Sequence, residues 1–201
     1  MLIFPEIENL DLYLESSEMI DFFEPNIQKI AQQIGADSSH EIPLVRSCYE
    51  WVRDTIRHSF DGSGVIVTCR ASEVLLYQEG ICYAKSHLLA ALLRYWRIPA
   101  GFCYQRLVLD DLDPSRLVIH GLNAVFLRSL NRWIRLDARG NKEGVYAEFC
   151  TEREILAFPV RNELGESEDP VIYRNPHPKI TAALIRSKTL EELVLNLPDH
   201  L

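Results

Sequence analysis

The chain of 201 residues is long enough to bury one sizeable hydrophobic core, with room for a small additional subdomain. Its composition, 47% hydrophobic and 25% charged, is typical of a soluble globular protein, and no run approaches the roughly 18 apolar residues that cross a membrane. The formal net charge of -8 argues against nucleic acid or an anionic membrane as a partner, because either would require a basic surface.

The first part of the chain is predicted to be helical after a short opening strand. Apolar residues recur at helical spacing in "EPNIQKIAQQIGAD", and Gly35 supplies a stop. Ser38 and Glu41 have the spacing of a capping box and predict the start of an amphipathic helix in "SSHEIPLVRSCYEWVRDTIRHSF". A glycine-bearing loop and a short helix around residues 73–77 follow.

A long apolar helix and three strands are predicted next. Residues 81–96 carry a dense apolar surface, and this helix ends before Pro99, whose ring disfavours helical geometry at Ile98. The period then changes to two in "AGFCYQRLVL", "LVIHGLNAVFL" and "RWIRLDA", which predicts strands. The turn "RSLNR" predicts a hairpin between the last two.

The remaining chain is less regular, with two predicted helix starts. Thr151 with Glu154, and Thr189 with Glu192, have the spacing of N-terminal caps. The order of helices, one central buried helix and an antiparallel sheet predicts an α+β fold in a single domain over residues 1–201. Within it we distinguish an N-terminal helical part (1–46), a catalytic core (47–141) and a C-terminal extension (142–201) whose role the sequence does not indicate.

Cysteine usage predicts a cytoplasmic protein. The five cysteines are odd in number and lack paired spacing, which fits a reducing compartment better than a disulfide framework. The start, "MLIFPEIENLDLYLES", lacks the basic region and the cleavage site of a signal peptide.

Cys82 is the candidate nucleophile, because it stands where the long apolar helix begins, two residues after Gly80. A thiol attacks as the thiolate, and a helix N-terminus together with an adjacent imidazole favours that anion. The backbone N–H of Cys82 would be one of the first unpaired donors of the helix, available to an oxyanion during acyl transfer. The alternative for each cysteine is a small buried core residue, which is our interpretation of Cys48, Cys69, Cys103 and Cys150.

His120 is the candidate base and Asp137 the candidate group that orients it. His120 lies in a strand pattern beside Gly121, where the missing side chain leaves space for another group. Asp137 ends the next strand, so the hairpin places the two on neighbouring strands, a few residues from direct opposition. Asn123 and Asn141 are alternatives to Asp137.

These residues resemble the transglutaminase-like superfamily. The resemblance rests on Gly80, an aliphatic residue, Cys82 and a long helix ending in "RIPAGF", with His120 and Asp137 following in the order of that family's Cys-His-Asp triad. The segment "YEWVRDTIRHSFD" is similar to the helix and tail that precede the nucleophile in the family. The resemblance covers roughly residues 47–141.

The resemblance implies a papain-like fold and attack of a thiol on an amide carbonyl to give a thioester. Hydrolysis is the expected outcome, with acyl transfer to an amine as an option, on a peptide or another amide-containing substrate. Crosslinking is less expected, because the family's crosslinking enzymes have a tryptophan upstream of the cysteine and "GVIVTCRASEVL" has none. The histidine is also followed by Gly121 rather than an aromatic residue, and Asp137 by Ala138 rather than proline.

Other functions remain as alternatives. The fold could serve as a non-catalytic binding or scaffolding module, or Cys82 could be a redox sensor, although no second cysteine is close in sequence to resolve a sulfenate. His87 is interpreted as a helix-surface or supporting residue, and His58, His40, His177 and His200 have no chemical context. Gln78 and Gln105 are candidate oxyanion donors, but solvent-facing amides are the preferred interpretation of both. No metal-ligand spacing and no cofactor motif is present, and the oligomeric state is open.

Overall fold

A four-stranded antiparallel sheet forms one layer of the molecule. The computed structural model describes residues 2–62 and 64–201. Its sheet has the order β6-β5-β4-β7, and the strands are β4 (Ala100–Asp110), β5 (Asp113–Leu127), β6 (Arg132–Leu136) and β7 (Ser167–Glu168). The three predicted strands are thereby confirmed, and β5 and β6 form the predicted hairpin.

Helices form the other layer, and the central one is buried on every side. They are α1 (Pro25–Gly35), α2 (Glu41–Thr55), α3 (Ala71–Tyr77), α4 (Cys82–Tyr95), α5 (Pro178–Arg186) and α6 (Leu190–Asn196). Helix α4 packs against α1, α2 and α3 on one side and against β4 and β5 on the other. Its residues 82–94 are all buried, which explains why apolar residues cover so much of its surface in the sequence. The α+β class is confirmed.

Two short parallel pairings tie distant segments to this core. Strand β1 (Phe4–Pro5) pairs with β8 (Val171–Ile172). Strand β2 (Arg57–His58), which follows α2 directly, pairs with β3 (Glu79–Gly80), which precedes α4 directly. The second pairing brings the end of α2 to the beginning of the helix that carries Cys82.

Two predicted caps are wrong, and in each the acidic residue binds a tertiary partner instead. At the start of α2, the Glu41 carboxylate accepts the backbone N–H groups of Arg128 and Ser129, both at 2.9 Å, in the β5–β6 turn. Residues 151–156 are not helical, and Glu154 forms an ion pair with Arg135 at 2.6 Å. The cap at Thr189 is confirmed, since its hydroxyl accepts the N–H of Glu192 at 3.2 Å.

Candidate active site

Cys82 is the first residue of α4 and lies on the wall of a cleft. Its exposed fraction is 9%, so the thiol is largely buried but reaches the cleft surface. Gly80 lets the chain just before α4 pack closely against the first turn of that helix, because a Cβ at residue 80 would lie 3.0 Å from both the Ala84 Cβ and the Thr68 Oγ1. The helix start therefore presents the Cys82 thiol and backbone amide at one place.

The hairpin brings His120 and Asp137 into direct contact. Nε2 of His120 lies 2.8 Å from Oδ2 of Asp137, although Asp137 follows β6 and is not directly opposite His120 in the strand register. Two backbone amides hold the carboxylate: Arg139 donates to Oδ1 at 3.1 Å and Ala157 donates to Oδ2 at 3.2 Å. The carboxylate is thus fixed on three sides, and the orientation of the imidazole follows from it.

Electrostatics favour a charged imidazole in this pair. Burial alone would lower the pKa of His120, but Asp137 and the nearby Cys82 thiol outweigh burial and raise it. Burial would raise the pKa of Asp137, but His120 and the two backbone amides outweigh burial and lower it. His120 and Asp137 therefore form a buried imidazolium–carboxylate pair next to the thiol.

An aromatic ring and an arginine enclose the imidazole. The Phe158 ring packs edge-on against His120, with 5.1 Å between ring centroids. The Arg139 guanidinium lies 5.8 Å from the centroid of the Phe158 ring. It also forms a two-pronged ion pair with Asp61. These contacts restrict rotation of the ring and limit access of water to the His120–Asp137 bond.

The cleft has a volume of about 880 Å³, and several parts of the chain line it besides the start of α4. One wall comes from β4 and β5, a second from residues 157–161, a third from the loop after His58, and a fourth from α6 and Leu197. The C-terminal extension therefore lines the cleft, which answers the question that its sequence left open.

A model of the transglutaminase-like superfamily matches residues 28–138. The chain belongs to this superfamily. The match begins within α1, ends at the residue after Asp137, and includes Cys82, His120 and Asp137.

Two solved structures are similar to parts of this chain. A proposed cysteine protease from Cytophaga hutchinsonii superimposes with a TM-score of 0.54 over 66% of this chain at 19% identity. A proposed protease from Parabacteroides distasonis matches 75% of this chain at 16% identity, with a TM-score of 0.41. The matched regions cover only 43% and 30% of those two chains. No curated protein matches the sequence.

His58 is a neighbour of Cys82 that the sequence interpretation missed. The β2–β3 pairing places His58 opposite Gly80, and Nε2 of its ring lies 3.2 Å from the backbone nitrogen of Cys82. Burial and then the charge of Arg139 lower the pKa of His58 well below its ordinary value, so the ring is neutral. The superfamily-like segment "YEWVRDTIRHSFD" was the available signal, because its tail contains His58.

The alternative polar residues are committed to other contacts. The Asn123 amide donates to the carbonyl oxygens of Ser86 and Gly101, and Asn141 bonds with Ala147. His87, expected at the helix surface, is buried, with Nδ1 at 2.6 Å from the Cys69 carbonyl oxygen. Gln105, expected to face solvent, is buried as well and donates to the Phe158 carbonyl oxygen and the Glu168 carboxylate.

Of the other four cysteines, three are buried core residues and Cys150 is half-buried. Cys48 and Cys103 are fully buried, as predicted, and Cys69 is buried against the Met19 sulfur at 3.1 Å. Burial raises the pKa of Cys48 to about 12. Within residues 2–62 and 64–201, no three His, Cys, Asp or Glu side chains group in the manner of a metal site, and no helix in that part of the chain is long and apolar enough to span a membrane.

Proposed function

We propose that the chain is a cysteine hydrolase that acts on an amide bond through Cys82, His120 and Asp137. His120 takes the thiol proton before the attack, the Cys82 sulfur attacks the carbonyl carbon as the thiolate, and His120 then gives the proton to the departing amine. Asp137 orients His120 and stabilises its charged form. The resulting thioester is released by water, with transfer to an amine as the less favoured alternative.

One observation carries this proposal: a thiol at the N-terminus of a buried helix, facing a cleft, lies beside an imidazole that a buried carboxylate holds at 2.8 Å. Membership in the superfamily adds support, because thiol-dependent acyl chemistry is shared by many of its members. A non-catalytic member would not need a charged imidazole maintained at the thiol against the cost of its burial.

A peptide or another amide-containing substrate is the proposed occupant of the cleft. The surface of the cleft is formed mainly by apolar side chains, with carboxylates such as Asp110 and Glu191 towards the rim. The proposed chemistry requires no metal ion and no organic cofactor, and we propose a cytoplasmic location, since all five cysteines, which lie among the described residues, are free thiols. The single-domain organisation of residues 1–201 is part of the same proposal.

Alkylation by iodoacetamide across pH, with each cysteine followed by mass spectrometry, tests the thiol–imidazole pair. Burial raises the pKa values of Cys48 and Cys69 to about 12, so these two should react slowly. Half-buried Cys150 is the internal comparison. We expect Cys82 to react fastest at neutral pH and to lose that advantage in His120→Ala.

His200→Ala, a change at an exposed histidine, is the matched control and should leave the Cys82 rate unchanged. The assignment fails if Cys82 reacts no faster than Cys150 in the wild-type protein, or if His120→Ala has no effect. Once an amide substrate is found by peptide screening, Cys82→Ser should abolish its hydrolysis.

A further inference from the structure

The His58 imidazole is held between two backbone amides. The N–H of Cys82 points at Nε2 at 3.2 Å, and the N–H of Phe60 points at Nδ1 at 3.3 Å. His58 also lines the cleft next to Cys82. The ring therefore contacts the same backbone amide that the proposed reaction would use to bind an oxyanion.

The two contacts cannot both be hydrogen bonds. A neutral imidazole carries one N–H and one acceptor nitrogen, so it can accept from only one of two amides. The neutral form is favoured because burial, and then the positive charge of Arg139, lower the pKa of His58 well below its ordinary value, although Asp61 opposes them. In either tautomer, one backbone N–H faces a ring N–H.

An anionic oxygen at Cys82 removes this conflict. When the ring proton is on Nε2, Nδ1 accepts the N–H of Phe60, and both the Nε2–H and the N–H of Cys82 are free to donate. Two donors that lie 3.2 Å apart can share one oxygen at ordinary hydrogen-bond distances. All three N–H groups are then satisfied.

We propose that His58 is the side-chain donor of the oxyanion hole and that it acts together with the backbone N–H of Cys82. The inference rests on the proposed thiol chemistry. When the Cys82 sulfur bonds to the carbonyl carbon, the carbonyl electron pair moves onto oxygen, and that oxygen accepts from both donors. When the carbonyl re-forms, the leaving group departs with the electrons of its own bond to carbon, and the thioester remains.

The two glutamines that the sequence offers for this role have other partners. The Gln105 amide donates to the Phe158 carbonyl oxygen at 3.3 Å and to the Glu168 carboxylate at 2.9 Å. The Gln78 amide donates to the Leu75 carbonyl oxygen at 3.2 Å, on the surface of α3. Neither residue lines the cleft, whereas His58 does.

Two reagents that attack the same sulfur separate an oxyanion donor from other roles. Acylation of Cys82 by p-nitrophenyl acetate passes through a tetrahedral oxyanion. Alkylation by iodoacetamide displaces iodide at a saturated carbon and forms no oxyanion at the reacting atom. Both rates are read at Cys82 by mass spectrometry, and Cys82→Ala supplies the blank.

We expect His58→Phe to slow acylation roughly 10²-fold, the cost of removing one oxyanion donor, and to leave alkylation nearly unchanged. His58→Gln, which restores an N–H donor, should recover most of the acylation rate. His40→Phe is the matched control, because His40 is exposed at the start of α2 and remote from β3 in the fold. The unchanged alkylation rate also shows that the variant proteins keep Cys82 in place.

Each outcome is decisive. Equal acylation rates in His58→Phe and the wild type would overturn the inference, and so would a parallel loss of both rates, since His58 would then act on the thiol itself. Acylation as slow in His58→Gln as in His58→Phe would count against a donor role. A wild-type Cys82 that reacts with neither reagent faster than Cys150 would instead refute the proposed function.

Discussion

Replacement of Asp137 by asparagine exchanges one carboxylate oxygen for an NH₂ group. It tests whether the buried carboxylate orients His120 and stabilises its charged form. Oδ2 of Asp137 accepts from His120 at 2.8 Å and from the Ala157 N–H at 3.2 Å, while Oδ1 accepts from the Arg139 N–H at 3.1 Å. An amide offers one oxygen and one NH₂ group. In either orientation, Asp137→Asn therefore turns an NH₂ towards at least one backbone donor.

The magnitude follows from these contacts. If the amide oxygen stays at Arg139, the NH₂ faces His120 and selects the tautomer whose proton is on Nδ1, which cannot accept from the thiol through that nitrogen. If the oxygen stays at His120, the negative charge is lost, and burial lowers the pKa of His120 without opposition from a carboxylate. A hydrogen bond to a charged group contributes about 1.5–3 kcal/mol, which corresponds to a rate decrease of roughly 10- to 150-fold.

The assay is the rate of Cys82 alkylation by iodoacetamide as a function of pH. We expect the largest decrease near neutral pH, because there Asp137 keeps His120 protonated beside the thiol, whereas at higher pH a thiol ionises without an imidazolium. The difference between the alkylation rates of the variant and the wild type should narrow as the pH falls, because His120 then becomes protonated even without the carboxylate. Asp113→Asn, at an exposed aspartate, is the control. A variant at 137 as reactive as the wild type at every pH would refute the orienting role.

Two further changes test the packing around the site. Gly121→Ala places a Cβ 2.7 Å from Cδ1 of Tyr83, and we expect the free energy of unfolding in urea to fall by about 1–3 kcal/mol; an unchanged value would contradict the close approach. Burial lowers the pKa of Lys85, which donates to the carbonyl oxygens of Arg53 and Ile56, to about 7. The unfolded chain therefore binds the extra proton at Lys85 between pH ~7 and ~10, and Lys85 should add up to about 1.4 kcal/mol per pH unit to the slope of wild-type stability against pH. Lys85→Met should lack this rise in pH-dependent urea titrations, and an identical slope in both proteins would show that Lys85 stays charged.

Much of the site could be predicted because it depends on local patterns. The start of α4 at Cys82 follows from a glycine before a long apolar run, and the buried helix needs only that run to be recognised. His120 and Asp137 lie on the two strands of one hairpin, so a short turn fixes their separation once the strands are identified. Those strands alternate with a period of two, which makes their assignment direct.

The two wrong cap predictions show where a local sequence pattern does not determine the structure. Ser38 with Glu41 and Thr151 with Glu154 have the same spacing as Thr189 with Glu192, yet only the last pair caps a helix. A carboxylate accepts from whichever donor is nearest after folding, and the amides at 128 and 129 and the guanidinium of Arg135 lie outside any local window. The spacing identifies a carboxylate that is able to cap a helix, but tertiary contacts determine which donor it binds.

The positions of Cys82 and His120 follow from local sequence patterns, whereas the rest of the cleft depends on tertiary contacts. Two-residue strands such as β2 and β3 carry no periodicity, so the position of His58 beside Cys82 depends on a pairing across 22 residues that no pattern announces. The wall near His120 depends on a still longer contact, the bond from the Ile119 N–H to the Pro198 carbonyl oxygen at 2.8 Å. The proposed nucleophile, base and orienting carboxylate therefore lie within residues 82–137 and follow from local order, whereas the proposed oxyanion donor and the shape of the cleft depend on long-range contacts. The sequence alone predicts thiol chemistry for this chain, but the surface around the thiol forms only when distant segments of the chain fold against the sheet.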